Sequence, residues 1–207
     1  MPPKVKIKKE DIIQATFDIV RVEGLEAVNA RRIAKEMNCS VQPIFSNFSN
    51  MEELKKEVIQ RAFDTYYEYI TTVNDGDEEY KSVGVNLIKL AKEEPKIFQI
   101  LFMSPHDTPY NTFITNNESY QYIESTIEKR FSMKMSKEAI ASFHAKMWFF
   151  THGIASLVAS DTCSFTDEEI SDLLSQEFMA LALLEKFKND HCLEKILVEK
   201  GKNDETI

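Results

Sequence analysis

Residues 39–48 read CSVQPIFSNF, and the reading of this stretch decides the fold. It has the length and apolar spacing of the second helix of a helix-turn-helix, yet it carries no Lys or Arg and contains a proline. If Ser40 caps the helix, Val41, Gln42 and Pro43 fill its first turn. Amides there have no intrahelical acceptor, so the missing N–H of Pro43 removes no helix hydrogen bond. Pro43 does push Gln42 toward extended backbone, which predicts a tight or distorted first turn. The lack of cations is compatible with reading DNA: Gln and Asn pair with adenine edges, and apolar side chains touch thymine methyls. Gln42, Pro43, Ser46 and Asn47 are the candidates for such base contacts.

The flanks are consistent with this reading. Asn29 is placed to cap a short helix, ARRIAKEM, which stops at Asn38, a residue that tolerates left-handed backbone. Ile33, Ala34, Met37, Cys39, Ile44 and Phe48 would form the small core that holds the two helices crossed. Upstream, Ile12, Ile13, Thr16, Phe17, Ile19 and Val20 repeat at helical spacing. Gly24 then supplies the position just past the helix end, with Leu25 folding back as its apolar partner. Downstream, Ser49 and Glu52 have the spacing of a capping box, and the helix from Met51 to Val73 would be roughly 34 Å long. Phosphate anchors are expected from the Lys4, Lys6, Lys8 and Lys9 arm, from Arg31 and Arg32, from Lys55 and Lys56, and from helix N-termini.

Charge is distributed unevenly. Residues 1–61 hold 11 Lys and Arg against 9 Asp and Glu, and the remainder 14 against 25, within a net charge of −9. The balance of about +2 on one part and −11 on the other suggests a phosphate-tolerant head on an acidic body. With 5 Gly, 6 Pro and 43% apolar residues, the chain suits helices and real cores rather than a turn-rich β architecture. No stretch is apolar enough to span a membrane, and MPPKVKIKKEDII is too short and too charged for a secretion signal. Cys39, Cys163 and Cys192 are odd in number and far apart, which suits free thiols in a reducing cytoplasm.

Beyond NDGDEE the pattern stays helical: Tyr80–Glu94, then a helix opened by Pro95 and running to Met103. SPHDTPYNTFITNNES reads as loop, and residues 119–131 as helix. Ser136 opens a further helix, and Thr166 with Glu169 forms a capping box for the last. On that last helix, Leu173, Leu174, Phe178, Leu181 and Leu184 predict an apolar face wider than one body needs. The expected fold is all-α, with a helix-turn-helix head over residues 1–50 and a helical body over residues 51–207, to which the family resemblance described next assigns ligand binding and dimerisation. His106, His144, His152 and His191 lack metal-ligand spacing, and no nucleophile–base pair or glycine-rich phosphate loop occurs. Neither a metal, a cofactor nor an enzymatic activity is therefore expected.

The segment IIQATFDIVRVEGLEAVNARRIAKEMNCSVQPIFSNFSNMEELKKEVI resembles the DNA-binding region of the TetR family of bacterial transcriptional repressors. The likeness rests on a capped helix ending in EG, an R-x-IA helix, the pattern S-x-x-x-[IL]-[FY]-x-x-F and a following E-x-L. It implies that Asn29 and Arg31 approach phosphates, to which the charge of the arm adds Lys6 and Lys8. It also implies that Val41 to Asn47, Phe45 among them, face the major groove. Val41 stands where the family often has Lys, and Met51 replaces another common Lys. WFFTHG, residues 148–153, is similar to a Trp…His-Gly signature of one subgroup. The resemblance further implies a homodimer formed through the last two long helices and binding a double-stranded, pseudo-palindromic operator. A small apolar effector would sit in the body near Phe102, Met103, Tyr120, Trp148 and His152. The rival is a helical protein-interaction module whose basic head binds an acidic partner; steep salt dependence would favour DNA.

Overall fold

The computed structural model describes residues 7–73, 78–104, 118–131 and 135–189, and contains no strand among them. Nine α-helices follow one another in these residues. Three make the head: α1 (Lys9–Glu23), α2 (Ala30–Glu36) and α3 (Gln42–Asn47). The others are α4 (Met51–Thr71), α5 (Glu79–Glu93), α6 (Pro95–Phe102), α7 (Glu118–Arg130), α8 (Lys137–Ala159) and α9 (Asp167–Asn189). The all-α expectation holds.

Local chemistry sets the helix ends. Gly24 stops α1 at φ 86°, where any Cβ would be strained, and its N–H donates to the Val20 carbonyl at 2.9 Å. Asn29 caps α2, its Oδ1 accepting the Arg32 N–H at 3.0 Å. Asn38 takes the left-handed position after it, at φ 50°. Ser136 caps α8 through the Ala139 N–H at 3.2 Å. Thr166 and Glu169 exchange two bonds, of 2.8 and 3.2 Å, ahead of α9.

Three ends differ from expectation. The capping position of α3 is Val41, not Ser40, so the helix starts one residue later and Gln42 is helical despite Pro43. Two residues follow Cys39 before the chain enters the helix, and Val41 at the capping position has no side-chain oxygen to offer the first-turn amides. The box ahead of α4 is also shifted by one. Asn50 Oδ1 accepts the Glu53 N–H at 2.9 Å, while the Glu53 carboxylate accepts the Ser49 N–H at 2.8 Å. Asn and Ser cap about equally well, and Glu53 lies three residues beyond Asn50 just as Glu52 does beyond Ser49, so the spacing alone does not choose between the two registers. Finally, α4 ends at Thr71, two residues early; the Thr71 and Thr72 hydroxyls donate to the Tyr67 and Glu68 carbonyls, and the Thr72 carbonyl beyond the end accepts from Asn86 Nδ2 at 2.7 Å.

One apolar core runs from head to body. Ile12, Val20, Ile33, Ile44, Phe48, Leu54 and Val58 fill the head, and Ala62, Tyr66 and Ile70 carry α4 into the body. There α5 packs most extensively on α8 and on α4, around Leu87, Leu90, Phe98, Ile127, Phe143 and Ile154. The α5–α6 elbow at Glu94 is tied to α1: Arg21 Nε donates to Glu94 Oε2 at 2.9 Å, and a second guanidinium nitrogen bonds Oε1.

The outer faces of α8 and α9 remain apolar and exposed at Phe149, Leu157, Met179, Leu183 and Phe187. A Cβ on Gly153, between Phe149 and Leu157, would meet nothing within 4 Å. This corrects the expected face of the last helix: Leu174 and Leu181 are buried within the body, and Leu173, Phe178 and Leu184 are half-buried. No helix among the described residues is long and apolar enough to cross a membrane.

Candidate nucleic-acid interface and ligand cavity

α3 buries Ile44 and, just past its end, Phe48, and turns Val41, Gln42, Phe45 and Ser46 outward, with Pro43 and Asn47 half-buried. The polar groups of this face are not equally available. Ser46 Oγ donates to the Gln42 carbonyl at 2.9 Å, and Asn47 Nδ2 to the Pro43 carbonyl at 2.8 Å. Val41 is 39% and Phe45 53% exposed.

The flanking cations divide in the same way. Arg32 is held by Glu23 at 2.6 Å and Glu36 at 2.7 Å, and Lys9 by Glu57 at 2.6 Å while lying over the Phe48 ring. Arg31 is exposed and has no ion pair among the described residues, and Lys8 and Lys56 are also exposed. Lys55 pairs with Glu52 at 3.1 Å. Both ends of the Asn29 amide are engaged, one capping α2 and the other donating to the Ala27 carbonyl at 3.2 Å. Lys4 and Lys6 lie outside the described residues.

The body holds a cavity of about 360 Å³ between α4, α5, α7, α8 and α9. Its walls are largely apolar and aromatic, with Tyr66, Tyr80, Leu87, Met147, Trp148 and Phe178 prominent. Glu78, Lys81 and Arg130 add charge. Arg130 is paired with Glu78 and lies 5.2 Å from the Phe178 ring centroid, and Lys81 Nζ donates to Ser171 Oγ at 2.6 Å. His144 also lines the space, with its Nδ1 3.4 Å from the Tyr80 hydroxyl. Burial pushes the His144 imidazole down to about 4, so it is neutral at pH 7.

Of the five residues expected to hold a ligand, Trp148 lines this cavity. His152 stacks on Trp148 with centroids 4.3 Å apart, and Phe102 meets the same indole at 6.5 Å; both support the wall rather than form it. Tyr120 packs on His144 at 5.9 Å, and Met103 is half exposed at the end of α6. His152 Nδ1 is buried without a hydrogen-bond partner among the described residues, and burial lowers the pKa of this ring too. Sequence reading missed Tyr80, His144, Met147 and Thr151. The signal was present: His144 and Thr151 interrupt an apolar helix face at helical spacing. Among the described residues no group of His, Cys, Asp or Glu is placed to hold a metal ion, and Cys39 and Cys163 are free thiols.

No family model matches the chain. Over 110 residues, 52% of the chain, it is 20% identical to an uncharacterised helix-turn-helix transcriptional regulator of Bacillus subtilis, covering 58% of that protein. Over 83 residues, 40% of the chain, it is 24% identical to a nicotine-responsive transcriptional repressor of Paenarthrobacter nicotinovorans, covering 43% of it. The chain thus spans about half the length of the curated relatives it matches. Solved structures extend the likeness. A TetR-family regulator from Haemophilus influenzae superimposes with a TM-score of 0.58 at 16% identity, over 83% of this chain and 94% of that one. A transcriptional regulator from Rhodococcus superimposes at 0.56 and 16% identity, over 84% and 96% of the two chains. By this likeness the chain has the fold of the TetR-family transcriptional regulators.

Proposed function

We propose that the protein is a ligand-responsive transcriptional repressor of the TetR family, with no catalytic role, working in the cytoplasm as a homodimer on a pseudo-palindromic operator. The observation that carries this reading is the capped α2–α3 pair. It presents an outward α3 on a head that also exposes the cations Arg31 and Lys8 and that α4 joins to an acidic, hollow body. Paired heads read half-sites about one helical turn, or a multiple of it, apart. The exposed apolar stripes on α8 and α9 suit burial against a second copy, giving a four-helix interface. An apolar effector in the cavity releases DNA only if it binds better to the state whose heads are wrongly spaced. That one relative is a nicotine-responsive repressor supports control by a small molecule.

The test is a titration of labelled promoter duplex with protein at rising salt. Lysine and arginine contacts to several phosphates predict a linear fall of log affinity with log salt, steeper for the wild type than for Lys8→Ala. Salt-independent binding, or equal affinity for every duplex, would refute the operator-reading role.

A further inference from the structure

We infer that α3 reads its DNA site chiefly through thymine methyl groups, contacted by Val41 and Phe45. This rests on the proposal that the head binds DNA, and it names what the head selects. Side chains read bases in the major groove by hydrogen bonds or by apolar contact with the thymine methyl. Hydrogen-bond readout is thinly supplied here. Residues 39–48 contain no Lys or Arg, which excludes from α3 the bidentate contact to guanine. The Ser46 hydroxyl and the Asn47 amide nitrogen donate to carbonyls one turn back in their own helix, at 2.9 and 2.8 Å. Gln42 is left as the polar side chain of the face with no such engagement among the described residues.

Two apolar groups are, in contrast, turned outward. Val41 and Phe45 are four residues apart, so they are neighbours on one face, with Cβ atoms about 5–6 Å apart. They stand 39% and 53% exposed, while Ile44 and Phe48 are sealed in the core. That separation is between one and two base-pair steps of about 3.4 Å, so the pair spans adjacent or next-adjacent methyls. The surroundings point to a polyanion. Arg31, on α2, and Lys8, at the start of α1, are exposed, and the head carries a positive balance on a chain of net −9. The preferred half-site is then an adenine read by Gln42, with thymines beside it for Val41 and Phe45.

The full-length protein is first used to enrich bound duplexes from a randomised pool. The consensus is then remade with each thymine of a half-site replaced in turn by deoxyuridine, which removes the methyl and keeps every hydrogen bond. Losing one buried methyl contact corresponds to about a fourfold weaker affinity. We expect that loss at one or two positions and none elsewhere. Phe45→Ala, folded as judged by an unchanged melting temperature, should bind thymine and deoxyuridine duplexes equally at its position, and Val41→Ala at the neighbouring one. A consensus indifferent to deoxyuridine everywhere would overturn the methyl readout while leaving DNA binding intact. So would a thymine preference that survives in both Phe45→Ala and Val41→Ala. Failure to enrich any sequence would overturn the DNA-reading role itself, and this inference with it.

Discussion

The ion pair between Arg21 and Glu94 is the perturbation that tests most directly how head and body are joined. Glu94 closes α5 and opens α6: its N–H donates to the Leu90 carbonyl at 2.8 Å, and its own carbonyl accepts the Phe98 N–H at 2.9 Å. Its side chain is only 10% exposed, whereas that of Arg21 is 46% exposed. The carboxylate raises the Arg21 pKa further, chiefly by hydrogen bonding. Breaking a fully buried pair costs about 3–5 kcal/mol, and exposed pairs are worth about 0–1 kcal/mol. With one end buried and the other half in water, Arg21→Ala should cost about 1–3 kcal/mol, since it strands the Glu94 carboxylate. Glu94→Gln removes the charge but keeps the volume, and should cost less. The double variant should then show a coupling of about 1–2 kcal/mol. For a chain of this length each kcal/mol shifts the melting temperature by about 2–4 °C. Melts of the four proteins at one fixed concentration hold any contribution of self-association to the comparison constant. Costs that simply add, with coupling below about 0.5 kcal/mol, would show that the elbow is held by packing and not by this pair.

Three further outcomes follow from the geometry. Leu183→Glu or Phe187→Glu puts a charge into the exposed α8–α9 stripe, and sedimentation at micromolar concentration should show monomers that keep their helix content; a persisting dimer would place the interface elsewhere. Because burial holds the folded His144 pKa near 4 against about 6.5 unfolded, the unfolded chain takes up the proton first as pH falls. Stability is therefore lost between about pH 6.5 and 4, by up to roughly 3 kcal/mol, and His144→Phe should show a shallower decline over that window in melts at pH 7 and 4.5. Asn29→Ala removes the cap of α2 and should lower stability by about 1 kcal/mol, read by urea unfolding, while an unchanged midpoint would mean that water replaces the cap at no cost.

How far the sequence could be read depended on whether one residue or its neighbours decided the structure. Asn29, Ser136 and the Thr166–Glu169 pair stand alone as caps, and each cap forms where its spacing predicts. Ahead of α4 two registers were open, Ser49 with Glu52 and Asn50 with Glu53, and only the path of the entering chain selects the second. The same ambiguity, on a larger scale, hid the faces of the last two helices. α9 is apolar on both sides, with Leu174 and Leu181 inward and Met179, Leu183 and Phe187 outward, so its pattern does not reveal which side is core. The rotation of α8 likewise directs His144, Met147, Trp148 and Thr151 to the cavity and leaves His152 stacked on Trp148. That rotation is set by packing on α5, a contact between residues far apart in the chain.

A ligand in the cavity would have two routes to the head, which touch where Phe102 packs on Tyr66. The direct one is α4, in which Tyr66 lines the cavity and Met51 begins the helix beside α3, about 22 Å away at 1.5 Å per residue. The other passes through aromatic packing. Trp148 touches Phe102, Phe102 meets Tyr66 edge-on at 5.2 Å and Phe98 at 5.1 Å, and both phenylalanines belong to α6. α6 begins at Glu94, which Arg21 fastens to α1. Small displacements travel along such a path only if every joint is stiff, and the Arg21–Glu94 joint is polar and can be removed without touching the cavity. A ligand that shifts Trp148 emission should therefore bind Arg21→Ala as it binds the wild type. If α6 carries the signal, that variant keeps ligand affinity but needs far more ligand to release DNA. If α4 alone carries it, the two titrations stay superimposed, and the elbow serves stability only.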